Sequence, residues 1–190
     1  KKMGIIEENR EKLIKFIGPP LVESFQKYYN FEMDEVLEAI KAYREYFADK
    51  GIFDNQIFPG IPELLASLKD KGHRLGVATS KPTIYSEMIL EHFNIDEYFD
   101  IVVGSNLDGT RVAKNEIIAV ALQGLGIDNP DKVVMIGDRK HDIIGAKAHN
   151  IDSIGVLFGY GTKEELEEAG ATYTVDSVVS LAELLGVKIE

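Results

Sequence analysis

The pattern of apolar positions changes about one third of the way along the chain. In residues 1–58 apolar side chains recur three and four positions apart, as at Leu13, Phe16 and Ile17, which is the spacing of one helical face. Gly18-Pro19-Pro20 interrupts this pattern, and the periodicity resumes beyond it. We therefore predict an all-helical first domain over 1–58, with helices around residues 13–17, 21–29 and 34–50.

Beyond Phe58-Pro59-Gly60, short apolar runs alternate with amphipathic helical segments. The runs predict strands over 74–79, 100–104, 133–137, 153–157 and 173–175. Helices are predicted over 62–71, 82–93, 115–125, 142–149, 163–168 and 178–185. This alternation is typical of a parallel sheet with helices on both faces, so we predict an α/β domain with a Rossmann-like sheet over 59–190.

Composition and charge exclude several classes of protein. The net charge of −11 argues against nucleic-acid binding, which needs a basic face, although a small phosphorylated metabolite needs only one or two local cations. The absence of cysteine excludes disulfides and thiolate metal sites. No apolar run is long enough to cross a membrane, and the first residues do not resemble a signal peptide, so we expect no membrane partner and a cytoplasmic location. The sequence leaves the oligomeric state open.

Polar residues follow three of the predicted strands, at the edge where open α/β sheets bind ligands. A hydroxyl pair, Thr79 and Ser80, follows the first strand, and either hydroxyl could instead cap the next helix. Lys114 opens a helix after the second strand. A cation there opposes the helix dipole unless an anion is bound beside it, although the side chain could also extend into solvent.

Two carboxylates, Asp138 and Asp142, follow the third strand one helical turn apart. Asp142 could be a helix N-cap and nothing more. Two oxygen donors at a strand end, however, suit a Mg²⁺ ion that keeps several waters. Together with the hydroxyls and Lys114, the pair predicts a metal-assisted phosphoryl-transfer site.

These residues occur in an order that resembles the motifs of the haloacid dehalogenase superfamily. The matching segments are Val77-Ala78-Thr79-Ser80-Lys81-Pro82, then Lys114, then Ile136-Gly137-Asp138-Arg139-Lys140-His141-Asp142. The resemblance is strongest to the phosphoglycolate phosphatase-like branch, which includes 5′-nucleotidase-like members. It implies a superfamily core with a small helical cap over 1–58, and hydrolysis of a small phosphate monoester through an aspartyl-phosphate with Mg²⁺ as cofactor.

The resemblance also implies roles for individual residues. Thr79 would hydrogen-bond the transferring phosphoryl group, and Lys114 would stabilise its charge. Asp138 would bind Mg²⁺ directly or through water, and Asp142 would hold the water shell of the metal. The residues expected at the substrate are Ser80, Lys81, Gly18, Pro19 and Pro20.

The chain departs from the family pattern in one respect. The attacking carboxylate belongs to an Asp-x-Asp-Gly motif on the first, central core strand, which should precede the cap. The only similar string is Asn106-Leu107-Asp108-Gly109, which follows the wrong strand and has an amide at the attacking position. We therefore expect that the central strand and its nucleophile lie before Lys1 in the native protein, and that this chain alone is inactive.

Three alternatives remain open at this point. The substrate could be a nucleoside monophosphate, as for a 5′-nucleotidase. The reaction could be that of a phosphomutase, a pyrophosphatase or a dehalogenase of the same superfamily. The protein could also be a catalytically inactive relative that binds phosphate or a protein partner in the same crevice. Because an exposed lysine normally contributes little to folding, Lys114→Ala should reduce turnover with little loss of stability.

Overall fold

The computed structural model describes residues 2–189, and the chain divides into two compact units. The first unit ends at Asn55 and the second begins at Gln56, three residues before the boundary expected from the sequence. Within residues 2–189, no helix combines the length and the apolar composition that crossing a bilayer requires.

The first unit is helical. Its helices are α1 (Arg10–Ile14), α2 (Leu21–Tyr29) and α3 (Met33–Tyr46), and a π-helical turn over Phe47–Gly51 follows α3. The sequence predicted one continuous α-helix over 34–50. The prediction is wrong for the last turn, which is π-helical. Asn30 ends α2 in the left-handed conformation, which asparagine tolerates better than most residues. An edge-to-face contact between Phe16 and Phe25, with ring centroids 5.2 Å apart, joins α2 to the residues that follow α1.

The second unit alternates strands and helices as predicted. Its strands are β1 (Gly76–Pro82), β2 (Ile101–Ser105), β3 (Val134–Gly137), β4 (Asp152–Val156) and β5 (Tyr173–Val175). Its helices are α4 (Ile61–Asp70), α5 (Thr83–His92), α6 (Lys114–Gly124), α7 (Lys140–Lys147), α8 (Lys163–Ala169) and α9 (Val178–Leu184). Two 3₁₀ turns, Asp96–Tyr98 and Pro130–Lys132, were not predicted.

All strand pairs in the described residues are parallel, but the strands form two sheets rather than one. β1 pairs with β2, and the second sheet has the order β3-β4-β5. Within residues 2–189, the outer strands β1, β2, β3 and β5 therefore each have one edge without a partner strand. Val134 and Ile136 on β3 are each 37% exposed, which is high for large apolar residues of a central strand. That a further strand lies beside these edges stays a prediction.

Helices join the two sheets into one unit. α6 packs on β1 and β2, and also on α7, which covers β3 and β4. One apolar cluster contains Ile118 of α6 and Ala146 of α7, with Ala78 of β1 and Met135 of β3 at its margin. Burying an aliphatic side chain of this size contributes about 1.5–3 kcal/mol. The packing of α6 between the sheets therefore holds the ends of β1 and β3 near each other.

Candidate functional site

The carboxyl end of β1 is irregular. The pairing with β2 shifts register between Ala78 and Pro82, and the Ser105 hydroxyl donates to the carbonyl of Ser80 at 3.0 Å. Gly104 makes this approach possible, because a Cβ there would lie 2.2 Å from the Lys81 carbonyl oxygen. β1 consequently continues to Pro82, three residues beyond the predicted end.

Thr79 and Ser80 do not cap the following helix. The Thr79 hydroxyl accepts a hydrogen bond from the Lys81 N–H at 3.2 Å, which closes a local turn. Helix α5 has Pro82 at its N-cap position, without a side-chain cap. The capping alternative is therefore wrong, and the Thr79 hydroxyl stands at the strand end with its O–H available as a donor.

Lys114 is buried rather than extended into solvent. Its Nζ lies 2.9 Å from the Ala78 carbonyl oxygen, to which it donates, and 2.9 Å from Asp142 Oδ1. The side chains of Lys114 and Asp142 are only 11% and 10% exposed. Gly145 provides the space, because a Cβ there would lie 2.7 Å from Lys114 Cγ. The cation thus links β1, beside Thr79, to the first turn of α7.

Asp142 is inside α7 and not at its N-cap. The helix begins at Lys140, two residues earlier than predicted, so Asp142 is its third residue. Asp142 Oδ2 accepts the Arg139 N–H at 3.1 Å, while Oδ1 faces Lys114. Gly137 allows this position, because a Cβ there would lie 2.3 Å from Asp142 Cβ. Both oxygens of Asp142 therefore have a protein partner.

Asp138 follows β3 directly and is half-buried. Its Oδ2 accepts the backbone N–H of Tyr160 at 2.8 Å. One oxygen of Asp138 is thus held by a backbone donor, and Oδ1 is the candidate oxygen for binding a ligand.

Lys81 lies within electrostatic reach of both Asp138 and Lys114. The residue as a whole is exposed, yet protein atoms crowd around its ammonium group, and this local burial lowers the pKa of the group. Attraction to Asp138 opposes this change, and repulsion from Lys114 adds to it. An anion bound near Lys81 and Lys114 would favour the charged form of Lys81 and raise its pKa again. The attraction should be stronger here than at a lysine that keeps its full water shell.

A surrounding layer of side chains was missed by sequence reasoning. Glu165 on α8 accepts hydrogen bonds from Arg139 Nε and from the Lys140 N–H, both at 2.9 Å. Burial raises the pKa of Glu165, but these hydrogen bonds outweigh it, so the pKa lies below the usual value. Thr162 caps α8 by accepting the Glu165 N–H at 3.2 Å. The capping-box spacing of Thr162 and Glu165 was visible in the sequence, whereas the second role of Glu165 depends on the fold.

Arg111 holds the carboxyl end of β2. Its Nε donates to the Gly104 carbonyl at 2.9 Å, and its backbone has a φ of +49°, which is uncommon for a residue other than glycine. Thr83 Oγ1 accepts the Gly104 N–H at 3.0 Å and lies 3.4 Å from Arg111 Nη2. These contacts fix the end of β2 against the start of α5. No sequence motif that we recognised pointed to Arg111.

The donors present suit a hard cation with few protein ligands. Within residues 2–189 there is no group of three or more histidines, aspartates or glutamates placed to share a metal ion. Asp138 offers one carboxylate oxygen, and Asp142, whose oxygens are both engaged, could contact only the water shell. Mg²⁺ is commonly held by one or two carboxylates with water and substrate phosphate, so the residues fit this ion.

Other residues singled out in the sequence belong to other segments of the chain. Gly18, Pro19 and Pro20 connect α1 to α2 in the helical unit, and their contact with substrate stays a prediction. Asp108 accepts the N–H of Thr110 at 2.9 Å and its hydroxyl at 2.6 Å, which closes a turn after β2. This local role agrees with the interpretation that Asp108 is not the nucleophile.

Known proteins resemble the chain over nearly its whole length. It is 40% identical over 184 residues to a 5′-nucleotidase of Pseudomonas aeruginosa, which covers 97% of this chain and 83% of that protein. It is 31% identical to a phosphoglycolate phosphatase of Colwellia psychrerythraea over 77% of this chain and 65% of that protein. A crystal structure of a predicted phosphatase from Clostridium acetobutylicum superposes with a TM-score of 0.94 at 49% identity, covering 97% of this chain and 85% of that one.

The family assignment follows from the same comparison. The model of the haloacid dehalogenase-like hydrolases matches residues 1–156, which include all three motif segments quoted above. The parallel sheets with helices agree with the fold of the matching structures. The chain belongs to the haloacid dehalogenase-like hydrolase family.

Proposed function

We propose that the protein is a Mg²⁺-dependent phosphatase that hydrolyses a small phosphate monoester. The observation that carries the proposal is the position of Lys114. Its Nζ contacts both the carbonyl next to Thr79 and the Asp142 carboxylate, so a hydroxyl, a cation and an acidic pair belong to one sheet edge. Lys81 adds a second cation, which interacts electrostatically with both Asp138 and Lys114.

In this proposal each side chain has one task. The Thr79 hydroxyl donates to a phosphoryl oxygen, and Lys114 balances the negative charge that develops as the ester bond breaks. Lys81 attracts the dianionic ester, whose charge compensates the ammonium group for the water that it has lost. When bound, Mg²⁺ would supply Lewis-acid charge neutralisation, with Asp138 as its direct ligand and Asp142 at its water shell. Asp142 also fixes Lys114, which orients the ammonium group before the substrate arrives.

We propose that the attacking carboxylate comes from a strand between β1 and β3. Within residues 2–189 four strands have an edge without a partner, and among these β1 and β3 contribute Ala78 and Met135 to the margin of one apolar cluster. Unpaired backbone groups in a sheet interior are unfavourable. Inserting one strand would place β1 and β3 about two strand spacings apart, roughly 9–10 Å. Its carboxyl end would lie between Thr79 and Asp138. There a carboxylate could attack the phosphorus, break the P–O bond to the alcohol and form an aspartyl-phosphate; the alcohol leaves after taking up a proton, and water then hydrolyses the acyl phosphate to inorganic phosphate and the free carboxylate.

The substrate is proposed to be either a nucleoside monophosphate or phosphoglycolate. The 40% identity to a 5′-nucleotidase favours testing nucleotides first, while the 31% identity to a phosphoglycolate phosphatase keeps the second substrate in the panel. A role of the helical unit, with Gly18, Pro19 and Pro20, in choosing between them remains part of the proposal.

The proposal is tested by phosphate release from a substrate panel with the full-length protein and Mg²⁺. We expect turnover of at least one monoester, its loss with chelator, and its near-complete loss in Asp138→Asn. Phosphate binding without turnover of any monoester would favour the inactive relative. Turnover that survives both chelator and Asp138→Asn would refute the metal assignment.

A further inference from the structure

The loop between β4 and α8 passes directly over Asp138. A Cβ at Gly159 would lie 2.3 Å from Asp138 Cβ, and a Cβ at Gly161 would lie 2.1 Å from the Asp138 carbonyl oxygen. Neither glycine has a positive φ, so the backbone conformation itself would accept alanine. What selects glycine at both positions is the close approach of the loop to Asp138.

The residue between the glycines contacts Asp138 through its backbone and not through its ring. The Tyr160 N–H donates to Asp138 Oδ2 at 2.8 Å, which is the short distance typical of a hydrogen bond to a charged acceptor. The Tyr160 residue is 51% exposed. Any residue with a backbone N–H could therefore make this contact, provided that the glycines on either side let the peptide approach.

Both ends of the loop are anchored. Phe158 packs edge-to-face on Phe58, with ring centroids 5.3 Å apart. At the other end, Thr162 caps α8 and Glu165 of that helix binds the Arg139 side chain. The N–H of Tyr160 is thus held in place from both directions, so it can restrain the carboxylate that it contacts.

We propose that Gly159-Tyr160-Gly161 is a positioning loop for the metal ligand. By holding Oδ2, the Tyr160 N–H fixes the plane of the Asp138 carboxylate and presents Oδ1 for Mg²⁺. The proposal rests on the function proposed above and adds a second layer of support to its metal site. Losing such an outer partner typically weakens metal binding about 10- to 100-fold.

Calorimetric titration of the full-length protein with Mg²⁺ tests the loop without relying on turnover. We expect Gly161→Ala to weaken Mg²⁺ binding by about 10- to 100-fold, because the added Cβ must displace Asp138 or the loop. Tyr160→Ala keeps the N–H and should bind Mg²⁺ within about twofold of the wild type. Gly51→Ala is the matched control, since its Cβ would make only an ordinary contact, 3.4 Å from the Phe47 ring.

A measurement on the wild-type protein covers the case in which Gly161→Ala does not fold. The Tyr160 amide resonance should shift during Mg²⁺ titration with the midpoint found by calorimetry, whereas the amide of Gly72, which donates to the Lys69 carbonyl at the end of α4, should not. A folded Gly161→Ala that binds Mg²⁺ like the wild type, or an unmoved Tyr160 amide, would overturn the positioning role. If Asp138→Asn binds Mg²⁺ as well as the wild type, the proposed metal site itself fails, which is a distinguishable result.

Discussion

Lys114→Met should destabilise the protein, contrary to what an exposed lysine would do. The substitution keeps an apolar side chain of similar length, but it leaves Asp142 charged and without its cation in a place where both side chains are about 10% exposed. Breaking a buried ion pair from one side costs about 3–5 kcal/mol. We take the lower end, because Asp142 keeps the Arg139 N–H and the site opens at a sheet edge. The expected loss is therefore about 3 kcal/mol, or on the order of 10 °C in Tm for a domain of this size.

Urea denaturation of the full-length protein measures this loss. Adding Asp142→Asn to Lys114→Met should recover about 1–3 kcal/mol, because the amide oxygen still accepts the Arg139 N–H and no charge is left unpaired. Lys163→Met is the control, since its ion pair with Glu167 is 3.6 Å long and more than half exposed. The reasoning is refuted if Lys114→Met loses less than about 1 kcal/mol, or if the double variant is no more stable than the single one.

Three further predictions follow from neighbouring groups. Asp138→Asn should weaken Mg²⁺ binding in calorimetry with little change in Tm, because the amide oxygen can still accept the Tyr160 N–H; a large fall in Tm would contradict this. Lys81→Met should raise Tm slightly while weakening competitive inhibition by inorganic phosphate, because burial without an anion disfavours the charged form; unchanged inhibition would exclude Lys81 from the phosphate site. Glu165→Gln should be less stable than the wild type at neutral pH. Because the folded pKa of Glu165 is lowered, this difference should shrink as pH falls below the ordinary value of 4.5, and a difference that persists at pH 2–3 would contradict it.

The elements of the fold could be predicted largely because their periodicities are local. The helix Leu21–Tyr29 and the strand Tyr173–Val175 were predicted with the observed bounds. The errors occur where tertiary contacts decide the boundary. Strand β1 extends to Pro82 because Gly104 on β2 lets the backbones of the two strands approach each other. Helix α7 begins two residues earlier than predicted because Gly137 leaves space for Asp142 in the first turn of the helix.

The candidate site could be predicted only in part, for a related physical reason. Thr79, Lys114, Asp138 and Asp142 follow strand ends, and parallel strands carry their ends to one edge. The partners that hold them come from distant segments. Tyr160 and Glu165 reach Asp138 and Arg139 across more than 20 residues, and the burial of Lys114 depends on Gly145 of another helix. These contacts cannot be predicted from the spacing of residues in the sequence.

A crystal structure of the full-length protein soaked with Mg²⁺ and orthovanadate tests the central claim most directly. We expect the vanadate within hydrogen-bonding distance of the Thr79 hydroxyl and Lys114 Nζ, and the metal on Asp138 Oδ1 with Asp142 reached through water. A strand between β1 and β3 should supply the carboxylate that faces the vanadium. Vanadate and metal bound away from this edge, with Lys114 still paired only to Asp142 and Ala78, would contradict the account.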